Sequence, residues 1–309
     1  MTIHKAKHNC RKILVTGAAG FIGSNLTLEL QRRFPDAEIT AVDNFFAGRS
    51  ENLKGFKGEF SNRDISKGPV LQGGYDIIFH EAAITDPRYG DDKEMVRSNV
   101  DGFKNIINLA RRTGAKLIYA SSASMYGNGP APQKESQKKE ILSAYAESKL
   151  AMDDMAKDLY RDMHVVGLRY FNVFGPGESH KGRPASMVYH LVRQMKKGGR
   201  PRIFKMGEQK RDHIYVKDVV EATILAADAR KSGVYNVGTG TAVDFNELVA
   251  DINSLLGTSL EAEYIDNPYV GTYQNHTQAD TKAAEKYLGF KSRYGLKEGI
   301  RDYIENHGL

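Results

Sequence analysis

Ile13-Leu14-Val15-Thr16-Gly17-Ala18-Ala19-Gly20-Phe21-Ile22-Gly23 decides the fold. A short apolar run of strand type enters a glycine-rich turn, and the turn opens a helix. Glycine there lets the backbone approach a pyrophosphate, while the helix N-terminus adds unpaired N–H groups and a favourable dipole. A second apolar run, Ile39–Val42, ends at Asp43, at about the distance of an acid that binds ribose hydroxyls. An ordinary tight turn needs only the glycines. Strand, glycine turn, helix, strand and acid in this order point to a dinucleotide site. The spacing is G-x-x-G-x-x-G rather than G-x-G-x-x-G.

Outward from this stretch, strand-like runs recur at Ile13–Thr16, Ile39–Val42, Ile77–His80, Leu117–Ala120 and Val165–Tyr170. Helical patterns lie between them, at Gly23–Phe34, Met95–Thr113 and Ala144–Leu159. In the second of these, Val96, Val100, Phe103, Ile106, Ile107 and Ala110 form one face. Strand–helix alternation implies an α/β fold, a doubly wound parallel sheet of Rossmann type with helices on both faces. Ligands of such sheets bind outside the carboxyl ends of the strands. Gly17–Gly23, Asp43, Ala82-Ala83, Ser121-Ser122 and Phe171-Asn172 fall there.

After Asn172 the pattern loosens. Gly175–Pro184 reads as a loop, Met187–Lys197, Val219–Ala227 and Phe245–Leu256 as helices, and Gly233–Val237 as a strand returning to the first sheet. The expected organisation is a dinucleotide-binding part, residues 1–172 plus about 213–240, and a smaller, discontinuous α/β substrate-binding lobe, about 173–212 plus 241–309.

Bulk properties suit a globular enzyme. The 309 residues can bury a large core, and 40% hydrophobic with 27% charged residues is ordinary. The net charge of +6 and pI of about 9.1 come from Lys and Arg scattered among acids, which argues against a nucleic-acid partner and fits attraction of an anionic substrate. The one cysteine, Cys10, excludes an intrachain disulfide, and a reducing compartment follows as the expectation. No run reaches membrane-spanning length, and Met1–Lys12 is polar and basic without a signal-peptide apolar core, so it reads as an extension before the first strand. A cytoplasmic protein is expected, with no membrane partner. No His/Cys/Asp cluster has metal spacing, so no metal is expected.

Tyr145 and Lys149 stand four residues apart, on one face of a helix. A free phenol has a pKa of about 10 and is a poor base at neutral pH. A neighbouring ammonium and a positively charged nicotinamide ring would both lower it. Tyr145 could then accept a proton from a substrate hydroxyl as hydride leaves the same carbon. A Y-x-x-x-K match by itself marks only a helix face. Here it follows the dinucleotide turn, with Ser121-Ser122-Ala123-Ser124-Met125-Tyr126-Gly127 between. A serine at that strand end can hydrogen-bond the reacting oxygen, and Ser122 is the one chosen.

These residues together resemble the extended short-chain dehydrogenases/reductases over nearly the whole chain. Thr16–Gly23, Asp43-Asn44, Ser121–Gly127, Tyr145/Lys149, Arg169–Pro176, Arg211–Val219 and Tyr235–Gly240 carry the resemblance. A narrower one, to the ADP-L-glycero-D-manno-heptose 6-epimerase family, lies in Phe79-His80-Glu81-Ala82-Ala83, Tyr119–Ser122, His180-Lys181-Gly182 with Ala185-Ser186-Met187, and Tyr273-Gln274 with His276–Ala279. That family makes the ADP-heptose precursor of the lipopolysaccharide inner core. The resemblance implies tightly bound NADP or NAD, held by Gly17, Gly20, Phe21, Ile22, Gly23, Asp43, Asn44, Ala82, Ala83, Asn99, Tyr145 and Lys149. It implies a nucleotide-diphosphate sugar substrate, ADP-heptose first, and an assembly of identical copies. Lys181 matches the second acid/base. Oxidation at C6 gives a planar ketone, hydride must return to the opposite face, and the reoriented hydroxyl then meets a group other than Tyr145.

Ser122, Asn172, Lys181, His190, Arg211 and Tyr273 are implied to line the sugar-nucleotide site, Arg211 because a guanidinium can hold two diphosphate oxygens. The plainer readings are a solvated or phosphate-binding Lys181, an Arg211–Asp212 surface ion pair and a packed His190. Three places depart from the family: Ile84-Thr85-Asp86-Pro87-Arg88, Gly177 in place of an arginine, and Arg183-Pro184. The competing activities are a UDP-hexose 4-epimerase, which needs no Lys181, a 4,6-dehydratase, which wants an acid pair that Ser122–Tyr126 lacks, and a non-catalytic NAD(P)-binding sensor, which need not keep Ser122, Tyr145 and Lys149.

Overall fold

The structure, a computed structural model, describes residues 12–68, 72–86, 89–269, 271 and 273–309. Cys10 with the rest of residues 1–11, and Pro87-Arg88 of the departing loop, lie outside the described residues. In chain order the strands are β1 (Lys12–Thr16), β2 (Glu38–Asp43), β3 (Glu59–Asn62), β4 (Ile77–His80), β5 (Lys116–Ser122), β6 (Val165–Tyr170), β7 (Asn172–Phe174), β8 (Arg202–Phe204), β9 (Lys210–Arg211), β10 (His213–Tyr215), β11 (Gly233–Val237), β12 (Val243–Asp244) and β13 (Glu263–Ile265). The helices are α1 (Phe21–Arg33), α2 (Asp92–Thr113), α3 (Ala144–Lys157), α4 (Met187–Lys196), α5 (Val216–Ala226), α6 (Phe245–Leu256), α7 (Lys282–Leu288) and α8 (Leu296–His307).

Seven strands form one parallel sheet in the order β11-β6-β5-β4-β1-β2-β3. The order reverses between β1 and β4, which opens a crevice beyond their carboxyl ends. The run read as a returning strand pairs with β6, Gly233 opposite Val166. The edge strand β3 has no counterpart among the sequence expectations. Its four residues, Glu59-Phe60-Ser61-Asn62, are mostly exposed, so no apolar run marks it.

One face of the sheet is covered by α1, α5 and α7, with Leu26, Leu30, Val219, Ile224 and Ala284 buried against Val15, Phe79 and Leu168. The other face carries α2 and α3, where Phe103, Ile106, Met152 and Ala156 pack on Ile78, Leu117 and Val165. The buried stripe of α2 runs through Met95, Asn99, Phe103 and Ile106, with Val96 and Val100 only partly covered. The helix is thus turned slightly from the expected face and carries Asn99 inward. Asp91 caps it, accepting the Glu94 N–H at 2.9 Å, and Gly114 ends it at φ +70°.

A second apolar cluster joins α4, α6 and α8 through Val188, Leu191, Leu248, Ile252, Ile300 and Tyr303, and includes Phe21 from the start of α1. Pairs of two- or three-residue strands (β7 with β10, β8 with β13, β9 with β12) tie this region together. Such short pairings leave no periodic signal in sequence. No helix among the described residues is long and apolar enough to cross a membrane.

Candidate active site

The glycine turn sits at the crevice. Gly17 has φ +68°, and a Cβ there would lie 2.5 Å from Ala82 N. A Cβ on Gly23 would lie 2.1 Å from Gly17 O. Both positions therefore demand glycine, one for a left-handed turn against the Glu81-Ala82 backbone that follows β4 and one for close packing of α1 on the turn. The first α-helical bond is donated by Ser24 N–H to Gly20 O at 3.1 Å, and no side chain caps α1 nor does an acid stand in its first turn. The N–H groups of Phe21, Ile22 and Gly23 thus face outward with the positive end of the helix dipole. Asp43 lies at the end of β2, its carboxylate accepting Ala19 N–H at 2.9 Å and Phe45 N–H at 2.7 Å. Burial pushes its carboxyl up, and these N–H donors oppose that. The arrangement fits a dinucleotide: a cradle that a Cβ would fill, an uncapped helix start and a ribose-side acid.

Gly48 belongs to this cradle as well. It packs on Ala19 so closely that a Cβ would come within 2.7 Å of its carbonyl carbon. A lone glycine in a polar loop offered no signal. Asn44 is exposed, its side chain accepting the Phe46 N–H. Ala82 and Ala83 stand beside the turn, and Asn99 clamps the residue after them, accepting Ile84 N–H at 2.8 Å and donating to Ile84 O and Ser148 Oγ at 3.0 Å each. These bonds hold the Ala82–Ile84 loop against α3. We expect Gly23→Ala to strip the dinucleotide from the purified protein. A methyl aimed at Gly17 O moves the turn, and a displacement costing only about 1.4 kcal/mol is a tenfold loss in affinity. Assay of dinucleotide released on denaturation checks this. Full retention would contradict it.

Helix α3 carries both Tyr145 and Lys149. Ser143 caps it, accepting Ala146 N–H at 3.2 Å, and the small Ala146 and Ser148 let it sit tightly against its neighbours. The Ser122 hydroxyl lies near enough to the Tyr145 phenol to oppose the rise in its pKa, and it accepts Ser124 N–H at 3.1 Å. Ser121 Oγ is buried without a hydrogen-bond partner, so Ser122 is the serine that meets Tyr145. Lys149 Nζ lies 5.8 Å from the centre of the Tyr145 ring and donates to Ala120 O at 2.7 Å. Burial pushes the ammonium down to about 8, against the pull of Glu81 and Asp153.

The expected fall in the Tyr145 pKa is absent in the chain itself. Burial, with the Glu81 carboxylate adding to it, pushes the phenol up to about 12, and the Ser122 hydrogen bond opposes that. Glu81 follows β4 and was quoted only as part of a motif. Its Oε1 stands 3.0 Å from the hydroxyl of Tyr170, a residue 89 positions away, which is why sequence spacing could not reveal the pairing.

Lys181 belongs to a helical turn, Ser179–Lys181, inside the stretch read as a loop. A fully buried carboxylate, Glu178, anchors the turn. It accepts Gly175 N–H at 2.9 Å, Ser186 N–H at 2.6 Å and Ser186 Oγ–H at 3.0 Å. Lys181 Nζ lies 5.5 Å from the centre of the Phe21 ring, at the first residue of α1. The lysine is thus half-buried rather than solvated, and burial lowers its pKa against the pull of Glu178 and Asp86. Next to it, His180 Nδ1 is 3.0 Å from Asn52 Nδ2, which donates to Ala19 O at 2.9 Å, so the turn is pinned to the glycine loop. Gly177 has φ +91°, which an arginine at this position would adopt only with strain.

Arg211 is buried and does not pair with Asp212, whose carboxylate instead accepts Thr239 N–H, Gly240 N–H and Ala279 N–H. The guanidinium donates to Lys210 O at 2.8 Å and to Gln274 O, and lies 4.7 Å from the centre of the Tyr273 ring. Burial lowers its pKa while the Tyr273 hydroxyl supports its charge. A buried cation held by carbonyls and an aromatic ring retains its attraction for an anion. Asn172 accepts Thr277 Oγ1–H at 2.8 Å, which joins β7 to the same crossing loop. His190, on α4, is half-buried with Nε2 3.3 Å from Arg183 O.

The sequence profile of the NAD dependent epimerase/dehydratase family matches residues 13–238. The ADP-L-glycero-D-manno-heptose-6-epimerase of Brachyspira hyodysenteriae is 38% identical over 95% of this chain and 96% of its own length. The crystal structure of the Helicobacter pylori enzyme of that name superposes with a TM-score of 0.92 at 36% identity, covering 99% of this chain and 100% of that one. MoeE5 in complex with UDP-glucose and NAD gives a TM-score of 0.82 at 32% identity, covering 95% of this chain and 97% of that one. With the glycine cradle, the Tyr145–Lys149 pair and the reversed parallel sheet in place, the chain belongs to the NAD dependent epimerase/dehydratase family.

Proposed function

We propose that the protein inverts C6 of ADP-glycero-manno-heptose through a transient ketone. Bound NADP or NAD would accept hydride from the sugar and supply it back. Gly17, Gly20, Gly23 and the N–H groups of Phe21 and Ile22 would hold its pyrophosphate. Asp43 would take ribose hydroxyls, with Asn44 and the Ala82-Ala83 loop flanking the site. In this reading residues 1–172 with about 213–240 bind the dinucleotide, and about 173–212 with 241–309 bind the nucleotide sugar. Arg211 with Tyr273 would receive the diphosphate, while Asn172 and His190 would line the pocket. The enzyme would act as a cytoplasmic homo-oligomer.

Tyr145 accepts the proton of the substrate hydroxyl while Ser122 hydrogen-bonds the same oxygen. Lys149, held by Ala120 O, keeps a positive charge behind the phenol and so favours the phenolate. When the sugar's exocyclic end has turned over, Lys181 returns the proton on the other side. Burial lowers the Lys181 pKa, which makes its neutral amine accessible and suits it to both directions of transfer.

The observation that carries the reading is the Lys181 turn. A dedicated buried carboxylate, Glu178, places a half-buried lysine against the first residue of the dinucleotide helix. The supporting similarity is to proteins named as heptose 6-epimerases at 35–38% identity. The experiment is incubation of the purified protein with each ADP-heptose epimer and, separately, with UDP-glucose and UDP-galactose, products being identified by NMR. Conversion of both heptose epimers to one mixture is expected. Turnover of the UDP-hexoses alone would overturn the substrate, and no turnover of any would overturn the enzyme reading.

A further inference from the structure

A single amide group, that of Asn52, joins the glycine turn to the tip of the Lys181 turn. Asn52 sits in a helical turn, Ser50–Leu53, that follows the Asp43–Arg49 loop. Its Nδ2 donates to Ala19 O at 2.9 Å and stands 3.0 Å from His180 Nδ1, 128 positions along the chain. A carbonyl only accepts, and an amide nitrogen only donates. Turning the amide over would set its oxygen against Ala19 O at 2.9 Å, two acceptors face to face. Ala19 O has room for a second donor and takes the Arg49 N–H at 3.0 Å. The Asn52 nitrogen therefore faces both partners, and His180 Nδ1 must be a bare acceptor. Burial lowers the His180 pKa, with the Lys181 and Arg49 charges adding to it and the Gly177 carbonyl and Asp43 opposing, which agrees with a neutral ring.

The stem of the Lys181 turn is held elsewhere. Glu178 fixes its base through Gly175 and Ser186, and Asn25, on α1, donates to Pro176 O at 2.8 Å. The tip, Ser179–Lys181, is one tight turn closed by local bonds such as Lys181 N–H to Glu178 O at 3.0 Å. With three residues per turn, neighbouring side chains leave such a tip about 120° apart. Holding His180 on Asn52 thus fixes the direction in which Lys181 leaves, and that direction is over the Phe21 ring.

We propose that Asn52 and His180 are positioning residues, and that their bridge from the glycine turn aims the Lys181 side chain at the site. The proposal rests on the reading of Lys181 as the second acid/base.

Competitive labelling of amines with a trace of acetic anhydride across a pH series, read by peptide mass spectrometry, gives the pKa of Lys181 without substrate. His180→Phe fills the space of the imidazole and removes the acceptor, and Asn52→Leu removes the donor. In each, Lys181 should leave its half-buried place, and its pKa should rise toward the ordinary lysine value of about 10.4. His180→Asn should restore the wild-type value, because its Oδ1 stands where Nδ1 stood and still accepts. Lys149, buried on α3, is the control, since a merely structural loosening would move it as well. An unmoved Lys181 in His180→Phe, a Lys149 that shifts in step, or His180→Asn behaving as His180→Phe would each overturn the proposal. If Asn52→Leu does not fold, the two variants at half-buried His180 decide. With ADP-heptose, kcat of His180→Phe should fall by roughly three- to tenfold, the size of one hydrogen bond, with KM little changed. A shifted Lys181 with an unchanged kcat leaves the bridge standing and removes Lys181 from the chemistry, so the two readings fail separately.

Discussion

Tyr145→Phe removes most of the activity and leaves the fold standing. The ring stays in its place on α3, so packing changes little. Lys149 keeps its bond to Ala120 O, so no buried charge is stranded. Ser122 loses the phenol but still accepts the Ser124 N–H. What disappears is the group proposed to take the substrate proton, and deletion of such a group costs at least about 10²-fold in rate. Thermal melting and bound-dinucleotide content should match wild type. Turnover within a few-fold of wild type in a folded, dinucleotide-bearing variant would mean that another group moves the proton.

Lys181→Met separates the two-base reading from its rival. Methionine keeps an apolar stem over the Phe21 ring, and the Glu178 carboxylate retains its three donors, so the turn itself should persist. In a heptose 6-epimerase with two bases, interconversion should fall by at least about 10²-fold, for the same reason as at Tyr145. Tyr145 would still serve one orientation of the sugar, so a single oxidation is expected under single-turnover conditions. In a hexose 4-epimerase one tyrosine serves both faces as the whole sugar swings over, and the variant would show a raised KM with kcat unchanged. The rate of ADP-heptose epimerisation at saturating substrate distinguishes them, and a full wild-type rate in the variant removes Lys181 from the chemistry.

Much of the framework was legible along the chain. The apolar runs ending at Thr16, Val42, His80 and Tyr170 announced four strands of the parallel sheet, and the glycines at 17 and 23 announced a turn in which each is sterically required. Tyr145 and Lys149 were legible because helical spacing is a local property. The edge strand β3 escaped because its residues are mostly exposed, and the paired short strands escaped because two or three residues carry no period. Asn99, expected at the dinucleotide site, also clamps Ile84, a contact that helical spacing does not reveal. The Arg211–Asp212 ion pair, an adjacent-residue reading, does not form because the Asp212 carboxylate is enclosed by the N–H groups of Thr239, Gly240 and Ala279.

The sequence by itself determined six of the seven strands of the parallel sheet, the helices α1 to α6, the glycine turn, the helix face carrying Tyr145 and Lys149, and the family resemblance that singled out Lys181. These depend on steric demands and periodicities spanning a few residues. Tertiary structure alone decided which carboxyl groups stand near the proposed acid–base side chains. Glu81 reaches Tyr170 and opposes ionisation of Tyr145, while Glu178 turns inward to seat Lys181. Electrostatic work depends on separation and on how much water is excluded, and both are set by the packing of segments far apart in the chain.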